Sequence, residues 1–81
     1  MTFARSARKE LQAVQHDLAD RILAAVEPLA QEPRPAGCRK LRNSRDLWRI
    51  RVGDYRIVYR VDDREKSVDI VIVRHRSDVY R

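Results

Sequence analysis

The chain has 81 residues, 43% hydrophobic and 37% charged, with a net charge of +6. That length allows one thin core, so residues 1–81 read as a single domain. One cysteine, Cys38, excludes an internal disulfide and fits a reducing cytoplasm. The sequence shows no signal-peptide run and no apolar stretch long enough to cross a bilayer, so no membrane partner is expected.

Phe3, Ala7, Leu11 and Val14 recur at near-helical spacing and predict a helix from Ala4 to about Gln15. Asp17 is a candidate N-cap for a second helix, whose stripe is Leu18, Ile22, Ala25, Val26 and Leu29. That helix must end by Gln31, because Glu32 precedes Pro33 and the residue before proline avoids helical geometry. Pro28 conflicts with its last turn, since proline removes a backbone donor. Two short helices this close in sequence should form a hairpin with its apolar stripe on a sheet.

After the connector Pro33 to Gly37, Leu47 to Val52 and Tyr55 to Val61 alternate apolar and cationic residues around Gly53-Asp54. Successive strand side chains point to opposite faces. Trp48, Ile50, Val52, Tyr55, Ile57, Tyr59 and Val61 therefore share a core face. Arg49, Arg51, Arg56, Val58 and Arg60 share the other. Glycine first in a two-residue loop suits a type II′ turn. Asp62 to Lys66 is a longer polar turn, followed by Ser67 to His75, apolar on both parities and therefore a central strand. If Val68, Ile70 and Ile72 face the helices, Val71, Val73 and His75 line the arginine face. The expected architecture is α+β, a helical hairpin on one face of a small antiparallel sheet.

The charge is localised. Residues 39–60 hold eight bases (Arg39, Lys40, Arg42, Arg45, Arg49, Arg51, Arg56, Arg60) against Asp46 and Asp54, and the rest of the chain is balanced. Arginine is permanently charged and its fork fits phosphate, so this patch reads as a surface for a nucleic-acid backbone. Arg42, Lys40, Arg45, Arg49 and Arg60 are the candidate RNA-binding residues. The bland alternative is a solvated basic face without a partner. No metal-ligand cluster or phosphate loop is present in the sequence, and no cofactor is expected.

Leu47 to Tyr59 with its "GDYRIVY" segment, then "HRSDVY" at residues 75–80, resemble the RelE/ParE toxin superfamily on its RelE side. Leu41-Arg42, the connector Glu32 to Cys38 and the helix Ala7 to Leu11 match as well, so the resemblance covers nearly the whole chain. It implies the toxin half of a type II toxin–antitoxin pair, neutralised by a cognate acidic antitoxin. It also implies an endoribonuclease that cleaves messenger RNA in the ribosomal A site. By resemblance, Arg49 and Arg51 stand at the family's two basic positions on the first central strand, and Arg56 at its phosphate-binding arginine. Arg76 or its neighbour His75 stands near the basic residue serving the leaving group, and Tyr80 at the C-terminal tyrosine. Two departures stand out. The first edge strand is short or missing before Phe3, and Arg51 replaces a frequent lysine, although arginine is a very poor general base.

The implied reaction is attack of a ribose 2′-OH on the adjacent phosphodiester, without metal. It needs a base, an acid, and positive charge where the phosphorane gains negative charge. The arginines meet the third need; His75 or Tyr80 could meet the first. Tyr55, Tyr59 and Trp48 read as packing residues, and His16 as surface. Two other functions fit the same scaffold: a ParE-like, non-enzymatic inhibitor of DNA gyrase, and a non-catalytic RNA-binding module.

Overall fold

A computed structural model describes residues 1–76. In chain order it contains β1 (Thr2–Phe3), α1 (Arg5–Gln12), α2 (His16–Val26), a 3-10 turn (Glu27–Ala30), β2 (Arg39–Lys40), β3 (Leu47–Val52), β4 (Tyr55–Asp62) and β5 (Ser67–His75). The five strands form one sheet in the order β1-β5-β4-β3-β2. The helices cover one face. Ala7, Val14, Ile22, Val26 and Leu29 meet Ile57, Tyr59, Val61, Val68, Ile70 and Val73 in a single core.

Most of the expected elements form. The Gly53 turn joins Val52 to its register partner Tyr55, with Gly53 at φ +57° and Asp54 at negative φ, as a type II′ turn requires. Pro28 is accommodated because α2 stops at Val26 and the chain tightens into the 3-10 turn, with the proline in its first positions, where the missing donor costs nothing. Asp62 closes the β4–β5 turn by accepting the backbone N–H groups of Arg64 and Glu65.

Three expectations are corrected. Asp17 does not cap α2; the helix begins two residues earlier than that cap would set, at His16 with Gln15 as N-cap, and Asp17 lies in the first turn, where its charge suits the helix dipole. The sheet is mixed, because the two residues of β1 run parallel to β5, Thr2 opposite Asp69 and Phe3 opposite Ile70. Most consequential is β5. Val58 pairs with Ile72 but the next residue, Tyr59, pairs with Ile70, so Val71 is an extra residue, a β-bulge. The bulge reverses the parity of everything after it. Val73 enters the core opposite Ile57, while Ile72 moves to the side of Val58.

Candidate nucleic-acid interface

The face opposite the helices carries the cations. β3 contributes Arg49 and Arg51, β4 contributes Arg56 and Arg60, and the ladder sets their neighbours. Arg51 stands opposite Arg56, and Arg56 opposite Arg74. Directly paired residues lie about 4.5–5.5 Å apart at Cα, so three arginines form one row across three strands, about 10 Å long. Arg39 pairs with Arg49 and extends the cationic surface to the edge. Below the row, Val58 is buried apart from the main core, with half-buried Ile72 beside it. The face thus has an apolar floor under guanidiniums.

Like charges directly opposite on neighbouring strands destabilise a sheet unless partners offset them. Arg60 is held by Asp46 at 3.2 Å and Arg74 by Glu10 at 2.8 Å. Arg39, Lys40, Arg42, Arg45 and Arg51 make no ion pair with an acid among the described residues. An arrangement that concentrates positive charge on one side is suited to an anionic partner.

The sequence-derived candidates divide. Arg49, Arg51, Arg56 and Arg60 share the face as expected. Arg42 and Arg45 lie exposed in the loop between β2 and β3. Lys40 pairs with Trp48 and so occupies the helix side of the edge; its neighbour Arg39 takes the place beside Arg49. His75 is displaced by the bulge. It pairs with Tyr55 on the helix side, and the two rings meet edge to face with centroids 5.4 Å apart. Arg74 therefore takes the position by Arg56 that was expected for His75. Arg76 is exposed, and its N–H donates to the Asp54 carbonyl at 2.7 Å, tying the end of β5 to the hairpin turn. Tyr80 lies outside the described residues. Arg74 and Arg39 carried a signal only in their charge, since Arg39 sits in a two-residue strand and Arg74 follows a bulge.

The helix-side aromatics pack. The buried Tyr59 hydroxyl donates to the Pro33 carbonyl at 2.6 Å. Burial, with Cys38 adding to it, pushes its phenol well above the ordinary tyrosine range. Arg34 places its guanidinium 5.0 Å over the Trp48 ring and donates two hydrogen bonds to Asp63, at 3.2 and 2.9 Å. The hydrogen bond to Asp63 raises the pKa of Arg34 and lowers that of Asp63. These contacts fasten the connector against the sheet and leave the opposite face to the arginines.

A helical hairpin on one side of a small sheet, with arginines concentrated on the other, defines the class. Residues 1–80 match the family described as the ParE toxin of the type II toxin–antitoxin system parDE. The chain is 39% identical to Toxin RelG of Mycobacterium tuberculosis over 98% of its own length and 92% of the relative's. Its fold superposes on RelE in a RelB–RelE antitoxin–toxin complex from Methanococcus jannaschii with a TM-score of 0.82, 25% identity, and coverage of 99% and 95%. Isolated Escherichia coli RelE gives 0.81 at 28% identity, covering 98% of this chain and 87% of that one. The chain belongs to the RelE/ParE superfamily of toxins of type II toxin–antitoxin systems.

Proposed function

We propose that this toxin is a ribosome-dependent messenger RNA endonuclease, working in the cytoplasm on the ribosomal A site, and that an acidic antitoxin neutralises it. The observation that carries this reading is the row Arg51, Arg56, Arg74, cations placed directly opposite one another on three neighbouring strands. Such a row can hold a phosphodiester from several directions and stabilise the extra negative charge of the phosphorane, an effect worth about 3–4 kcal/mol per well-placed donor. Arg56, at its centre, takes the largest share. Attack by the 2′-OH breaks the bond to the 5′-oxygen and leaves a 2′,3′-cyclic phosphate and a 5′-OH.

His75, turned to the helix side, is poorly placed to take the 2′ proton. We assign that role to Tyr80 on the strength of the family resemblance, since an arginine side chain is a very poor general base. Arg76 and Arg74 are the cations nearest the end of β5 for the departing oxygen. Arg49, Arg39, Arg42 and Arg45 extend the surface for neighbouring phosphates. The antitoxin reading is supported by relatives solved as RelB–RelE complexes. An acidic segment folding over this face would cover the same arginines.

Primer extension on a translated messenger tests the activity. Stops within codons soon after induction, with plasmid supercoiling unchanged, are expected. Gyrase-linked DNA breaks with intact messenger would overturn the reading in favour of a gyrase poison on the same scaffold.

A further inference from the structure

Glu10 is the one carboxylate on the inward side of α1. It lies three residues after the buried Ala7, on the same face of the helix. Its side chain keeps 25% of its exposure. A carboxylate withdrawn this far from water is costly unless its oxygens are matched. Both are matched on β5: Oε1 accepts the Val73 N–H at 3.2 Å, and Oε2 accepts Arg74 Nε at 2.8 Å.

The first contact follows from the short β1. That strand ends opposite Ile70, the Ala4 N–H donates to the Ile70 carbonyl, and the chain then turns into α1. Among the described residues the outer edge of β5 beyond Ile70 has no neighbouring strand, and Glu10 supplies the acceptor that a strand would have supplied. A neutral side chain could do the same. The second contact is what requires a carboxylate. Arg74 stands opposite Arg56, where two like charges would push their flexible side chains apart. Glu10 takes the inner nitrogen, Nε, which fixes the side chain along its length and leaves its terminal amino groups uncommitted to Glu10.

We infer that Glu10 is a positioning residue for the arginine row: its carboxylate, fixed by the Val73 amide, pre-orients the Arg74 guanidinium at the rim of the phosphate site beside Arg56. The inference rests on the ribonuclease reading above. Its benefit is rotamer freedom removed before substrate arrives.

Single-turnover cleavage of messenger on programmed ribosomes, with melting curves on each protein, tests it. Glu10→Gln keeps an oxygen for the Val73 amide and loses the partner of Arg74 Nε. Its melting temperature should stay near native, and its maximal rate should fall about tenfold. The ribosome concentration for half-maximal rate should stay the same or fall, because the variant carries one more positive charge. In an Arg74→Ala background, adding Glu10→Gln should change nothing further. Glu10→Ala, which loses both contacts, should also melt lower. A native or raised rate in Glu10→Gln would overturn the positioning role. So would an equal loss in the Arg74→Ala background, or a loss that tracks unfolding. A native chain that cleaves no messenger would overturn the ribonuclease reading, and this role with it. An active native chain indifferent to Glu10→Gln removes this role alone.

Discussion

On the helix side of the sheet, Ile57, Tyr59 and Ile70 lose all exposure in an apolar core, and the Tyr59 hydroxyl is hydrogen-bonded. On the other side the same strands carry Arg51, Arg56 and Arg74 in one row, with Val58 the buried apolar residue beneath. The first surface is arranged to lower the free energy of the folded chain. The second concentrates positive charge, which suits an anionic partner. Changes on the two faces should therefore separate stability from activity.

The largest effect on the helix side is expected from Ile70→Ala, which empties a fully buried site on β5, the strand that α1 packs against. It should cost about 2–5 kcal/mol, enough to lower the melting temperature by at least about 10 °C, read by calorimetry. Gly53→Ala should cost about 1–2 kcal/mol. A new Cβ would meet Leu18 at an ordinary 3.8 Å, so the strain comes from the positive φ of 57°. Denaturant melts of the two variants would sharpen the comparison if the hairpin turn proved as costly as the core.

Tyr59→Phe removes the hydrogen bond to Pro33 and should cost about 1 kcal/mol near neutral pH. Its pH dependence is the finer test. The folded pKa lies above the unfolded value, so the stability from the neutral phenol is complete below about pH 10 and is lost as pH rises beyond it. The native chain should lose stability on that alkaline limb more steeply than Tyr59→Phe. Parallel curves would mean that the phenol ionises as readily in the folded chain as in the unfolded one.

The two faces were unequally legible in the sequence. In β3 and β4 a cation or an aliphatic residue stands at nearly every alternate position, so faces, turn type and the partners of Arg49, Arg51 and Arg56 follow from parity alone. In β5, Ile70, Val71, Ile72 and Val73 are all apolar, and nothing in that run marks which residue is extra. The bulge at Val71 is set by tertiary pairing, and it carries Arg74 to the basic face and His75 away from it. β2 was hidden for another reason: two residues cannot show an alternation, so the choice between Arg39 and Lys40 required the register. Tyr80, the proposed base, rests on resemblance, and its pH profile against Tyr80→Phe is the corresponding experiment.

The central claim is that the arginine row acts on a phosphodiester. Single-turnover cleavage on programmed ribosomes and thermal melting, measured on one preparation of Arg56→Ala beside the native chain, test it most directly. Cleavage should fall by about a hundredfold or more while the variant stays folded at the assay temperature. A variant that cleaves at the native rate, or one that loses activity only in step with its folded fraction, would contradict the account.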